Sequence, residues 1–160
     1  MKISLVPEGA VKIVWKDVER LLRKSVDTVK DKSGTIDILD GLFDGTYVLW
    51  VVMDEDDALI AAFTTRLIVY PQRKALGIDW VGGSRMSDWA SDMIETMRRY
   101  AREQGCDHIE GYGRKGWTRY LEKYGFYPEY VAYRMELSNG QEQTSTNGNN
   151  SPSNAASRIR

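Results

Sequence analysis

Residues 75–111 read ALGIDWVGGSRMSDWASDMIETMRRYAREQGCDHIEG, and this stretch decides the fold. Ala75 to Val81 reads as a strand, followed by Gly82-Gly83-Ser84. Trp89, Met93, Met97 and Tyr100 then recur at three- and four-residue spacing, with Ala90, Ile94 and Ala101 beside them. That period predicts a long amphipathic helix from about Ser87 to Gln104. Gly105 fits the left-handed residue that ends such a helix, and Cys106 to Gly111 reads as a short strand. The stretch is therefore a strand–helix–strand crossover.

Upstream, Trp15, Val18, Leu22, Val26 and Val29 mark a first helix, and Ile36, Leu39 and Leu42/Phe43 a short second one ending near Gly45. Tyr47–Met53 and Leu59–Tyr70 read as two strands of a hairpin across the polar turn Asp54-Glu55-Asp56-Asp57. Downstream, Trp117–Tyr124 predicts a short helix stopped by Gly125. Val131, Tyr133, Met135 and Leu137 alternate with Ala132, Arg134 and Glu136 as in a final strand. Neighbouring antiparallel strands followed by a crossover give an α/β (α+β) fold: a mixed, mostly antiparallel central sheet flanked by helices.

The composition suits one domain over residues 1–137. Of 160 residues, 42% are hydrophobic, which is enough for one core and too little chain for two. Residues 138–160 are Ser, Asn, Gln, Gly and Thr with few apolar side chains, and are expected to form a low-complexity polar tail. A net charge of -1 gives no basic excess for a nucleic-acid backbone. No stretch is long enough to span a bilayer. Cys106 and His108 are the only residues of their kinds, so neither a disulfide nor a cysteine-rich zinc site can form within the chain, and no metal is expected. Cys106 reads as a small buried hydrophobe and His108 as a half-buried strand residue. A reducing cytoplasm is the expected location.

Two segments carry a specific resemblance. Gly105-Cys106-Asp107-His108-Ile109-Glu110 after a long helix resembles the end of motif A in the GNAT (N-acetyltransferase) superfamily, and Tyr120-Leu121-Glu122-Lys123-Tyr124-Gly125-Phe126 resembles that superfamily's Tyr-Glu-Lys-Leu-Gly-Phe helix end. Leu49-Trp50 and Gly113-Arg114-Lys115-Gly116-Trp117 are also similar to small GNAT-like proteins encoded by tailed phages. The resemblance implies a GNAT-like fold with acetyl-CoA in a V-shaped cleft, where the strand before the long helix parts from the strand after it. The cofactor's pyrophosphate would lie on the long helix's amino terminus, where free amides and the helix dipole favour anions.

The cofactor-binding residues so implied are Val81, Gly82, Gly83, Arg85, Ala90 and Arg114. Arg85 and Ala90 keep the basic first and small last positions of the pyrophosphate loop, while Asp88 replaces its central glycine. Gly82-Gly83-Ser84 offers a phosphate-binding turn by a shifted register, or the strand's terminal bulge. Asp79 or Glu110 is implied as catalytic base and Tyr120 as general acid, although the family's tyrosine position holds Leu121. Trp89 and Trp117 map to the cleft, either filling it or lining a pocket.

Two functions follow as expectations. One is an N-acyltransferase for a small-molecule or protein amine with a degenerate pyrophosphate loop. The other is a catalytically inactive, GNAT-derived component of a phage virion that binds a protein through residues 138–160. Its location would be the virion or the bacterial host cytoplasm.

Overall fold

The computed structural model describes residues 1–29 and 31–137; the expected tail at 138–160 lies outside the described residues. The elements run β1 (Lys2–Val6), α1 (Val11–Asp27), α2 (Thr35–Phe43), β2 (Val48–Met53), β3 (Leu59–Val69), β4 (Lys74–Gly83), α3 (Met86–Glu103), β5 (His108–Gly111) and α4 (Gly116–Leu121). One sheet has the order β1-β2-β3-β4-β5; its first three pairings are antiparallel, and β4–β5 is parallel across α3. The expected mixed sheet with flanking helices is what the chain forms.

Alternation along the strands sorts two cores. Leu49, Val51 and Ala62 face α1 and α2, where they meet Val11, Val18, Leu22, Val26, Ile38 and Leu42. Trp50, Val52, Ala61, Phe63 and Leu76 face α3 and meet Trp89, Met93, Met97 and Ala101. Each fully buried side chain of this size contributes roughly 1.5–3 kcal/mol of apolar transfer energy. The two periods, about 3.6 on the helices and 2 on the strands, were the signal in the sequence.

Three local readings change, and one open alternative, that for Trp89, closes. β1 was not expected: five residues are too few to display a period, and the strand is recognisable only by its ladder to β2. The expected strand at 131–137 does not form. In the chain segment from Pro128 on, Val131, Tyr133, Met135 and Leu137 are exposed, and without a ladder their alternation has no sheet face to bury against. The bulge in β4 lies at Asp79–Trp80, not at Gly82-Gly83: Phe63 pairs with Val81 but Thr65 with Ile78, so two β4 residues oppose Thr64. Trp89 fills the core; only 1% of it is exposed, and its Nε1 donates to the Ser84 carbonyl at 2.8 Å.

Gly82 explains how close α1 lies to the sheet. A Cβ placed there would sit 2.1 Å from the Leu21 carbonyl oxygen, inside the α1 backbone. Gly82→Ala is expected to push α1 off the sheet and cost about 3 kcal/mol or more. The measurement is urea denaturation, and a change under about 0.5 kcal/mol would contradict this packing.

Candidate active site

The bulge determines what the middle of β4 presents. Without it, Asp79 and Trp80 would face opposite sides of the sheet. With it, Trp80 joins the α1 core and Asp79 meets Arg66, which lies across the strand pair. Thr64 opposite the bulge is fully buried, and its Oγ1 accepts the Trp80 backbone N–H at 3.3 Å, so the irregular backbone keeps a partner.

Asp79 and Glu110 stand near each other on adjacent strands in different electrostatic settings. Asp79 accepts a 2.9 Å hydrogen bond from Arg66 Nε, and its side chain is 12% exposed. Burial raises its pKa above 3.8, and the Glu110 charge adds to that rise, against the opposing pull of Arg66. Glu110 accepts from the Tyr70 hydroxyl at 2.6 Å, and its other oxygen lies 2.8 Å from His108 Nε2. Burial pushes Glu110 up, but hydrogen bonds from Tyr70 and His108, with Arg66 close by, outweigh it and hold the carboxyl below its ordinary value. The two neighbouring carboxyls are thus shifted in opposite directions, Asp79 up and Glu110 down. The two expected base residues come together. The ring of Tyr70 also stacks on His108, whose Nδ1 is buried without a partner.

β4 pairs with β5 only from Ala75 to Ile78, matched to His108–Gly111, and then runs on to Gly83 paired with β3 only. The two strands part at Asp79. An open cleft of about 520 Å³ is lined by Met86 and Ser87 at the start of α3 and by Arg114, Gly116, Trp117 and Tyr120 of the segment that follows β5. Arg114, Trp117 and Tyr120 all line this one cleft. Trp117 lines the cleft and does not plug it. Tyr120 packs edge-on against Trp117, with Lys123 Nζ 4.3 Å from its ring centroid. Its hydroxyl is buried beside Tyr124, and burial, then the interaction with Tyr124, raises its pKa.

The remaining expected cofactor residues sit elsewhere. Ala90 is buried within α3, Val81 packs on the α3 side of the sheet, and Gly82 and Gly83 meet Leu21 and Ala61 backbone. Arg85 precedes α3 in the left-handed conformation (φ 55°), and its guanidinium pairs with Asp88 at 2.9 Å, Glu55 at 3.5 Å and Asp54 at 3.9 Å. Reasoning from sequence missed Arg66 and Tyr70 as partners of the carboxylates; only the alternation of β3 hinted that Arg66 shares a face with Thr64. Among the described residues, no cluster of His, Cys, Asp and Glu could hold a metal, and no helix is long and apolar enough to cross a membrane.

No family model and no curated protein matches the chain. Solved structures do. Glucosamine-6-phosphate N-acetyltransferase from Arabidopsis thaliana aligns over 86% of this chain and 98% of its own, with TM-score 0.59 and 15% identity. A predicted acetyltransferase from Clostridium acetobutylicum, solved with acetyl-CoA, aligns over 84% and 95% (TM-score 0.61, 15% identity). An acetyltransferase from Trypanosoma brucei aligns over 85% and 99% (TM-score 0.61, 15% identity). At that identity the likeness is one of architecture: the chain shares the fold of these solved acetyltransferases.

Proposed function

We propose that the protein is an acyl-CoA-dependent N-acyltransferase whose base is Asp79. One observation carries the reading: β4 and β5 part at Ile78–Gly111, and a half-buried carboxylate of raised pKa is the first residue past the fork. A thioester cofactor would fit the cleft by its shape and lining, with the apolar walls of Met86, Trp117 and Tyr120 around its arm and Arg114 toward its phosphates. When bound, acetyl-CoA supplies an activated acyl group. Asp79 removes the proton of the acceptor ammonium, directly or through one water, so that the free amine nitrogen can attack the carbonyl. Glu110, held ionised by Tyr70 and His108, keeps Asp79 basic. The thiolate leaves, and the Tyr120 hydroxyl on the cleft wall protonates it and takes in return the proton that the newly acylated nitrogen sheds. The acceptor is a small-molecule or protein amine.

A second reading keeps the fold without catalysis: a cofactor-free binding component derived from such an enzyme. The engagement of Arg85 by three carboxylates favours it, because that side chain is then not free for phosphate. Isothermal titration separates the two. Acetyl-CoA is expected to bind with a Kd in the range of roughly 1 μM to 1 mM; no heat at millimolar ligand would leave the second reading standing.

A further inference from the structure

We propose that Arg66 selects the acceptor: the amine that Asp79 deprotonates belongs to an amino acid, whose carboxylate, a few bonds from the nitrogen, docks on this arginine. The inference rests on the reading of Asp79 as the base and adds the chemical class of what reaches it. The ion pair between the two residues is only half used. Arg66 reaches Asp79 from β3 to β4 through Nε alone, on Oδ2 at 2.9 Å. A guanidinium–carboxylate pair that merely ties two strands commonly closes both arms of the planar fork. Here the Nη groups of Arg66 and Oδ1 of Asp79 have no partner among the described residues. Both side chains reach solvent, Arg66 at 32% exposure and Asp79 at 12%. A free donor and a free acceptor therefore stand side by side at the base.

The neighbours decide what fits there. Glu110 has both oxygens engaged, Oε1 by Tyr70 and Oε2 by His108, so its charge is felt at the pair while its hydrogen bonds are spent elsewhere. The phenols of Tyr47 and Tyr112 are the other titratable groups close to Arg66. A zwitterion matches this arrangement atom for atom: its ammonium meets Oδ1 of Asp79, and its carboxylate accepts from the Nη groups of Arg66. A doubly charged phosphate fits less well, because Asp79 and Glu110 already flank the one guanidinium and repel the second charge. A simple amine leaves the free arm of Arg66 without a partner.

The test compares glycine, L-leucine and L-phenylalanine with the amines that lack their carboxylates: methylamine, isopentylamine and phenethylamine. Thiol release from acetyl-CoA is followed with each compound for the wild type and for Arg66→Gln. The same compounds are titrated into isotope-labelled protein without cofactor, and the Arg66 Nε–H resonance, identified by its loss in Arg66→Gln, is followed by NMR. At least one acid is expected to exceed its amine in kcat/KM by about ten- to hundredfold, the worth of a charge-assisted hydrogen bond, and to shift the Arg66 resonance. Arg66→Gln is expected to abolish that preference. Both members of a pair use the same base, so any disturbance of Asp79 cancels in their ratio. Turnover of every amine as fast as its acid, or a preference that survives in Arg66→Gln, overturns the inference and leaves the transferase reading intact. An acid that shifts the Arg66 resonance while no compound releases thiol supports the recognition and overturns the transferase reading. No shift and no release with any compound overturns both.

Discussion

Trp89→Ala is expected to lower the unfolding free energy by about 3–5 kcal/mol, the usual cost of emptying a buried aromatic site. The indole is 1% exposed and packs with Trp50, Phe63 and Met93 between α3 and the sheet. Its removal also leaves the Ser84 carbonyl without its indole donor at the point where β4 gives way to α3. A domain of this size is stable by only about 5–15 kcal/mol, so the loss lowers Tm by roughly 10–20 °C. Trp89→Phe is expected to recover most of it. A fall of under about 3 °C for the alanine variant in a thermal melt would show that Trp89 does not hold α3 to the sheet.

Asp79→Asn is expected to reduce acyl transfer about 10²–10⁴-fold, the usual contribution of a general base, while the protein stays folded. The asparagine keeps the shape and still accepts from Arg66 Nε, but it cannot take a proton. Since the base must be deprotonated, the rate rises with pH through the Asp79 pKa. Burial places that limb above the ordinary 3.8. Glu110→Gln is expected to move the limb to lower pH, because the Glu110 charge is one of the causes that raise Asp79. Thiol release from acetyl-CoA with an amine acceptor, followed across pH, reads both effects. If Asp79→Asn kept more than half the wild-type rate, or kept the limb unchanged, Asp79 would not be the base.

Part of the site was legible because its residues lie within one local unit. Asp79 and Glu110 stand on the two strands of the crossover, and Arg114, Trp117 and Tyr120 follow on the next loop and helix. A crossover brings such strands side by side, but the register that matches Glu110 with Gly77, and so sets it near Asp79, belongs to the ladder. Their partners were not legible. Tyr70 meets Glu110 across 40 residues and Arg66 meets Asp79 across 13, and neither contact leaves a periodic trace.

The sequence by itself determined the elements whose burial is periodic: the stripes of α1 and α3, the β2–β3 hairpin and the crossover to β5. These follow from which neighbours in the chain share a face, and that is a local property. Only the tertiary structure decided the rest. It put the bulge at Asp79–Trp80, because two β4 residues must oppose one on β3. It showed Gly82 to be the place where α1 touches the sheet, and gave Arg85 its partner Glu55 from thirty residues earlier. It buried Trp89 in the core and left Val131–Leu137 without a ladder. Each of these depends on what a side chain or backbone meets after distant segments pack, and no window of sequence contains both sides of such a contact.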